Sequence, residues 1–413
     1  MNSRITKATK ISQGSQRFGV QSFPSTFLVH LFDIRHSLDL LVLLLVSIIF
    51  LLLYSFLIFF YLKEWKAAAT YSSQNGFSPV FISVIVPARN EAGRISHLLN
   101  AIKKQDYPLQ FFELIVVDDY STDGTTSVVN EQDLSNCLLI QPKVEEKDSS
   151  KKKAIEAGIH QAKGELIVTT DADCVPGSSW LSTIASFYRK HDASLIAAPV
   201  KFSYDHSFLQ VFQAIDFLVL QGITAASVSS NFHNMCNGAN LAYKKQSFID
   251  VNGFEGIDQV ATGDDMLLMH KIWKKEPAKV FYLKSREAIV STEPMPRWKD
   301  FFMQRKRWAS KTFIYDDNRI IYVLGFVYFF NCLFFVLLCA SFLNPFNWCL
   351  LAGYLVLKTL IELPFVSSVA DFYNEKKLLR YFLFFQPVHI FYTVYTGLSS
   401  QLGKYEWKGR RSK

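Results

Sequence analysis

The chain has 413 residues, of which 50% are hydrophobic, 15% aromatic and 19% charged, with a net charge of +8. Charged residues fall short of the roughly 25% usual in soluble chains, and the deficit sits at the two ends while the middle has ordinary soluble composition. That pattern puts one globular domain between membrane segments and excludes a plain soluble protein. No basic stripe interleaved with aromatics runs through the middle, which argues against nucleic-acid binding; the basic residues gather near the apolar segments, where anionic headgroups attract them. The six cysteines are scattered without a C-x-x-C, so neither a zinc site nor a disulfide framework is indicated.

Residues 1–38 are polar and basic (Arg4, Lys7, Lys10, Arg17, Arg35) and read as a loosely ordered tail. Leu40–Leu62 follows, 23 residues without a charge. At ~1.5 Å per residue it spans the ~30 Å of hydrocarbon in a bilayer. It is too long for a signal-peptide core and no small-residue cleavage site follows, so residues 39–63 are predicted to be a retained transmembrane anchor. Residues 64–79 form a polar linker.

Between residues 80 and 296, short apolar runs alternate with helical patterns. Phe81–Val86 reads as a strand, and Asn90 as the cap of a helix over about Glu91–Lys104. Phe112–Asp119 is a buried-strand pattern ending in two aspartates. Ser121–Thr125 is turn and cap chemistry leading into another helix. Leu138–Ile140 reads as a short strand and Lys151–Lys163 as a helix. Glu165–Cys174, ELIVTTDADC, is a β-branched run ending in Asp171 and Asp173. Helix 178–190 and strand 194–200 continue the alternation, which argues for a mostly parallel sheet with helices on both faces. Phe208–Ser227 reads as a helix. Cys236–Asn240 is a polar loop before the apolar Leu241–Tyr243. Gly263-Asp264-Asp265 opens a helix over Met266–Lys275, and Lys279–Leu283 is a strand.

Residues 297–318 carry an amphipathic basic-aromatic helix, RWKDFFMQRKRWASK, of the kind that lies in a membrane interface. Residues 319–402 form a C-terminal membrane region with spans at Ile320–Leu343 and Phe346–Val366. A softer segment, Tyr381–Leu402, either spans or lies in the interface. The second span carries Lys358 and Glu362, four apart on one helical face. They read as a mutually neutralising pair that fixes helix packing, against the alternative of a functional intramembrane charge. Residues 403–413 are a basic tail. If all four segments span, the two tails share ten Lys/Arg against a similar number on the other side, and the positive-inside rule does not decide. If the last segment does not span, the bias becomes 15 against 5 and the soluble domain is cytoplasmic, the version preferred for an inner (plasma) membrane protein.

Carboxylates past the carboxyl end of a buried strand sit where open α/β sheets bind ligands. Asp118-Asp119 and Asp171-x-Asp173 each follow such a strand, and Asp264-Asp265 opens a helix. Two carboxylates suit a hard divalent cation that in turn holds a diphosphate. Together the three clusters meet the needs of an enzyme using a sugar nucleotide. If the sheet brings all three to one edge, they could hold a base and ribose, a metal-bound diphosphate, and a proton-accepting carboxylate.

Over about residues 80–310 the chain resembles the family 2 glycosyltransferases, the inverting group with a GT-A fold. The matching residues are Val84–Glu91 (VIVPARNE), Val117–Thr125 (VDDYSTDGT), Lys152–Ile155 (KKAI), Thr170–Asp173 (TDAD), Gly263–Asp265 (GDD) and Gln304–Trp308 (QRKRW). The membrane segments on both flanks are also like members of that family. The resemblance implies an α/β fold, a mixed GT-A sheet flanked by transmembrane helices, and Mg²⁺ or Mn²⁺ as cofactor. By position, it implies nucleotide-sugar contacts from Pro87, Arg89, Glu91, Asp118, Asp119, Lys153 and Asp171. Asp173 would be the metal ligand with Asp171 in support, and Asp265 the general base with Asp264 beside it. Gln304, Arg305, Arg307 and Trp308 would serve acceptor and diphosphate. Many members have Thr-Glu-Asp where this chain has Gly263-Asp264-Asp265, which leaves the role of Asp264 less defined than that of Asp265.

Each residue also has a structural alternative: Asp118 or Asp119 capping a turn, Asp171 or Asp265 serving a helix N-terminus, Trp308 anchoring in the interface, and His233 as a loop residue rather than an acceptor contact. The expected activity is transfer from a nucleotide-diphosphate donor, UDP-hexose or UDP-N-acetylhexosamine, to a lipid or membrane-proximal glycan. The partners are thus donor, acceptor and membrane. Processive polysaccharide synthesis is the alternative within the class, disfavoured by the few helices available for a channel. An inactive scaffold or nucleotide sensor is the alternative outside it.

Overall fold

The computed structural model describes residues 25–73, 78–146, 149–258, 263–310, 317–400, 405–407 and 410–412, the side chains of 25–40 and of the last two stretches excepted. The chain divides into two compact units, residues 1–50 and 51–413. Helix α1 (Ser25–Ala67) begins well before the expected anchor and reaches past it, absorbing part of what composition suggested was tail and linker.

The elements of the domain then run β1 (Ile82–Ala88), α2 (Ile95–Lys103), β2 (Phe112–Asp118), α3 (Thr125–Asn130), β3 (Cys137–Ile140), α4 (Lys151–Gln161), β4 (Leu166–Thr169), β5 (Val175–Pro176), α5 (Trp180–His191), β6 (Leu195–Ala197), β7 (Val200–Phe202), α6 (Phe208–Ser229), β8 (Leu241–Lys244), α7 (Lys245–Asp250), α8 (Met266–Lys275), β9 (Val280–Tyr282), β10 (Val290–Thr292) and α9 (Trp298–Ala309). α10 (Asn318–Leu343), α11 (Phe346–Phe372) and α12 (Phe382–Ser400) follow. Seven strands form one sheet in the order β3-β2-β1-β4-β8-β6-β9, and β5-β10-β7 form a smaller one.

The sheet is mixed. β3, β2, β1 and β4 are parallel, whereas β8 runs antiparallel to both β4 and β6. This inserted strand is what the strand-helix alternation did not show. Its register pairs Leu241 with Thr169, so the start of β8 lies at the edge where β4 ends. The carboxyl ends of β1, β2 and β4 and the loop leading into β8 therefore share one edge of the sheet. The strands are short apolar runs with fully buried centres at Ile85, Val116 and Val168, as a sheet covered on both faces requires.

The expected helix starting at Glu91 begins at Ile95, and Asn90 does not cap it. Asn90 instead takes a left-handed φ of 54° and accepts from the Thr122 amide at 2.8 Å, tying the β1 and β2 loops together. The predicted strand 194–200 breaks at Pro199 into β6 and β7, which belong to different sheets.

Among the described residues four helices are long and apolar enough to cross a membrane: α1 from Leu41, α6, α10 and α11. Helix α6 has 83% of its most apolar 18-residue window buried within the protein and is a core helix. Helices α1, α10 and α11 instead expose large apolar side chains such as Phe56, Phe329 and Leu360. α12 falls short of the same hydropathy and packs its aromatic side chains on α9, with Tyr392 against Phe301 and Tyr395 against Phe302.

One stripe of α1, Tyr54, Ile58, Tyr61 and Trp65, is buried at helical spacing. Tyr54 stacks on Phe330 of α10 at 3.9 Å and donates to Glu362 of α11. Glu362 pairs with Lys358 at 2.7 Å, and Gln386 of α12 bonds both. The pair thus stitches three helices. At Gly222 α6 meets α11 so closely that a Cβ would lie 2.5 Å from Val369 and 2.9 Å from Phe365.

Removing one partner of a buried ion pair strands a charge, whereas replacing both by apolar groups is close to neutral. Glu362→Ala is expected to cost about 3–5 kcal/mol, and Lys358→Met/Glu362→Leu to recover most of it. Thermal unfolding of the detergent-solubilised protein measures both. Equal losses would mean that the helices need the bonds of the pair itself, and not only relief from a stranded charge.

Candidate active site

At the shared sheet edge lies a cleft of about 260 Å³ lined by residues from all three acidic clusters. Pro87, Arg89, Glu91, Asp119, Asp171, Asp173, Asp264, Asp265, Gln304, Arg307 and Trp308 border it. Asp118, Lys153 and Arg305 do not.

Asp119 follows β2 and is 3% exposed. Its amide donates to Ala88 O at 2.8 Å, its carbonyl accepts from Arg89 at 2.6 Å, and its carboxylate accepts from Ser149. Asp118 points away from the cleft, because successive strand residues face opposite sides. Its carboxylate accepts from Gln141 at 3.0 Å and from the Ser121 amide, holding the loop after β2.

Asp171 and Asp173 leave β4. Their carboxylate oxygens and the Cys174 thiol lie within 4.8 Å of one another. Burial, and then the two carboxylates, push the Cys174 thiol well above its ordinary range. Asp171 and Asp173 offer hard oxygens, which suit Mg²⁺ or Mn²⁺.

Lys151, the first residue of α4, reaches between the clusters. Its Nζ is 2.6 Å from Asp171 and 3.2 Å from Asp264. Burial alone would lower this lysine, but the Asp171 and Asp264 carboxylates outweigh it and hold the ammonium charged. Sequence matching pointed to Lys153, which the helix turns away from the cleft, while Lys152 is buried and donates to Ile257 O at 2.5 Å. A run of three lysines gave no signal as to which one faces inward.

Asp265 caps α8: its Oδ1 accepts from the Met266 amide at 2.7 Å. Its Oδ2 accepts from the Gly238 amide at 3.1 Å, on the loop into β8. A carboxylate has about four lone-pair sites, so capping leaves capacity to take a proton. A Cβ at Gly238 would sit 3.1 Å from Asp264 Oδ2 and 3.3 Å from Lys151 Nζ. The bare backbone is what lets this loop approach the acidic cluster.

On α9, Gln304, Arg307 and Trp308 are spaced three and four apart and present one face to the cleft. Gln304 Oε1 is buried with no hydrogen-bond partner among the described residues, an acceptor awaiting a donor. Arg305 lies on the flank of this face, beside Phe301, and is buried toward the protein interior and not the cleft. It forms a buried pair with Asp216 of α6 at 2.7 Å, and Tyr392 of α12 donates to the same carboxylate at 2.5 Å. Its guanidinium also lies 4.3 Å from the Trp308 ring centroid, so it supports the cleft wall from behind. Phe202 and Phe217, stacked at 4.3 Å, complete an aromatic side of the cleft that the sequence did not mark.

His233 does not line the cleft. It is 1% exposed, and burial pulls it down to about 4.

A family description, "Glycosyl transferase family 2", matches residues 83–250. The chain is 29% identical over 174 residues to glycosyltransferase AglE of Haloferax volcanii, covering 42% of this chain and 56% of that protein. It is 35% identical over 111 residues to the dolichyl-phosphate β-glucosyltransferase of Dictyostelium discoideum, 24% of this chain and 33% of that one. The matches thus span little more than half, or less, of these relatives' own lengths. The structure of a mannosyltransferase, PcManGT from Pyrobaculum calidifontis, in complex with GDP-Man and Mn²⁺, superposes with a TM-score of 0.55 at 19% identity, over 88% of this chain and 97% of that one. The fold is therefore GT-A. Residues 83–250 are a family 2 glycosyltransferase domain.

Two outcomes follow. Gly238→Ala forces a methyl against Asp264 and Lys151, and nucleotide-diphosphate affinity measured by calorimetry should fall at least tenfold. For His233, the unfolded chain binds the proton more readily than the folded one. Stability is then intact above pH 6.5 and declines as pH falls from about 6.5 to about 4, by up to ~3 kcal/mol. In His233→Gln that part of the acid loss should vanish from urea-unfolding curves recorded across the range.

Proposed function

We propose that the protein is a membrane-embedded inverting glycosyltransferase that moves a hexose or N-acetylhexosamine from a nucleotide-diphosphate donor, UDP-linked, to a lipid or membrane-proximal glycan. The observation that carries the reading is the meeting of Asp119, Asp171, Asp173, Asp264 and Asp265 in one cleft beside Arg307 and Gln304, whose Oε1 has no partner among the described residues.

Asp119, with Arg89 and the Pro87–Glu91 loop, is suited to hold base and ribose. Asp173 and Asp171 would hold Mg²⁺ or Mn²⁺, which when bound neutralises charge on a departing diphosphate without a proton. The planar fork of Arg307 adds a phosphate contact, and Gln304 Oε1 is suited to accept from a sugar hydroxyl. Asp265 takes the proton from the acceptor hydroxyl as the new bond forms. Its orientation is set by two backbone amides, so its lone pairs are aimed before the acceptor arrives. Attack from the face opposite the diphosphate inverts the anomeric carbon. Asp264, tied to Lys151, keeps the second carboxylate of the pair neutralised. The aromatic side of the cleft, Phe202, Phe217 and Trp308, suits the apolar faces of a sugar ring.

The acceptor reading rests on where the cleft lies. Its α9 wall packs on α12, ahead of the exposed apolar surfaces of α10 and α11. A relative whose name specifies a dolichyl-phosphate acceptor accords with a lipid. That α12 packs on the domain and falls short of spanning hydropathy favours a C-terminal tail on the domain's side. By the positive-inside rule the domain then faces the cytoplasm, as in an inner (plasma) membrane enzyme.

The test uses membranes containing the protein, Mg²⁺ or Mn²⁺, and radiolabelled nucleotide sugars. Wild type should transfer label to the organic lipid extract, and Asp265→Asn should cut the rate about 10²–10⁴-fold while still binding nucleotide. Label confined to high-mass aqueous material would instead support processive synthesis. Equal transfer by wild type and Asp265→Asn would exclude Asp265 as base.

A further inference from the structure

Helix α1 touches the loop that orients the proposed base. Tyr61 Oη lies 3.0 Å from His233 Nε2, and Ser227 Oγ at the end of α6 lies 3.0 Å from the same nitrogen. The neighbouring Phe60 meets Phe232 edge-on, with centroids 4.8 Å apart. So two consecutive residues of α1 grip two consecutive residues of the loop 231–240, and His233 and Asn234 are sealed there at 1% exposure. The far end of the loop is fixed independently. Asn240 donates to Pro199 O and Ala288 O, both at 2.8 Å, and accepts from Trp180 Nε1 at 2.9 Å. Between the two fixed ends, Asn237, Gly238 and Ala239 border the cleft, and the Gly238 amide bonds Asp265 Oδ2.

We infer that Tyr61 is a positioning residue: through His233 it holds the α6 end of this loop, and the loop in turn fixes the rotation of the Asp265 carboxylate. The inference rests on the assignment of Asp265 as base. Oδ1 is held by the base's own helix, and the Gly238 bond reaches Asp265 from a different element. A carboxylate with one oxygen tied can still swing about its Cβ–Cγ bond. The second tie removes that freedom, and misplacements of about 1 Å cost up to 10²-fold in rate. In a buried site, loss of the tyrosine hydroxyl removes a hydrogen-bond partner that water does not replace. The membrane helix is thereby part of the catalytic geometry and not only a tether.

The experiment uses the full chain in detergent or bilayers and compares Tyr61→Phe with Tyr71→Phe. Tyr71 also loses a buried hydroxyl bond, to Ser186 at 2.6 Å, but lies outside the cleft and does not touch the loop. Amide hydrogen exchange over residues 234–241 should accelerate at least fivefold in Tyr61→Phe and stay within twofold in Tyr71→Phe. With the label-transfer assay, kcat of Tyr61→Phe should fall about tenfold, with donor KM and nucleotide affinity within twofold. Unchanged exchange in Tyr61→Phe overturns the inference, as does an equal loss of kcat in the two variants. If even the wild type transfers no sugar, the functional reading fails on its own, and the exchange comparison still decides whether α1 sets the loop.

Discussion

Crowding of like charge governs this structure. Asp171, Asp173, Asp264 and Asp265 are brought to one side of a cleft by β4 and by the start of α8. Two unit charges 4 Å apart repel by about 4 kcal/mol at an effective dielectric near 20. The fold sustains this because Lys151 bridges Asp171 and Asp264, Met266 and Gly238 amides hold Asp265, and Ser149 holds Asp119. Asp171 and Asp173, close together just past β4, offer the hard oxygens that suit a divalent cation, and such a cation would in turn draw a diphosphate to the cleft. The architecture around the cleft reads as the means of keeping these carboxylates together: parallel strands aim two of the clusters at one edge, and an antiparallel β8 brings a glycine-bearing loop to the same place.

The helices flanking the domain are tied into it through polar contacts at buried positions. Tyr54, Lys358, Glu362 and Gln386 link α1, α11 and α12. Asp216, Arg305 and Tyr392 link α6, α9 and α12 directly behind Trp308. Where surrounding side chains are apolar, such groups have few alternative partners, and their geometry is correspondingly specific. Lys284 extends the pattern: its Nζ donates to Trp65 O at 2.6 Å and Ala68 O at 3.0 Å, capping the end of α1. Within residues 51–413, α1, the domain and the C-terminal helices are thus joined by side-chain contacts.

Much of this was legible in the sequence because the signals were local. A β-branched run ending in Asp171-Ala172-Asp173 marks a strand and its edge, and 23 uncharged residues mark a membrane-length helix. What stayed hidden depended on non-local pairing. Nothing in Leu241–Lys244 says that it enters the sheet antiparallel between β4 and β6. The three lysines at 151–153 are equivalent by composition, and only the start of α4 at Lys151 selects which one faces the carboxylates. Arg305 sits inside a motif yet faces away from the cleft, because a helix turns about 100° per residue. Phe202 and Phe217 carried no mark, since an aromatic bordering a cleft and one in the core look alike in a sequence. Asn90, expected as a helix cap, instead bridges two loops in a left-handed conformation, which asparagine tolerates better than most residues.

The most direct test of the central claim is calorimetric titration of the full chain with UDP and GDP, with and without Mn²⁺, for wild type and Asp173→Asn. If the carboxylates form one cation-assisted diphosphate site, nucleotide binding to the wild type should be at least tenfold tighter with Mn²⁺, and Asp173→Asn should abolish that gain while leaving metal-free binding within twofold. Binding of either nucleotide that is equally tight without Mn²⁺ and indifferent to Asp173→Asn would contradict the account.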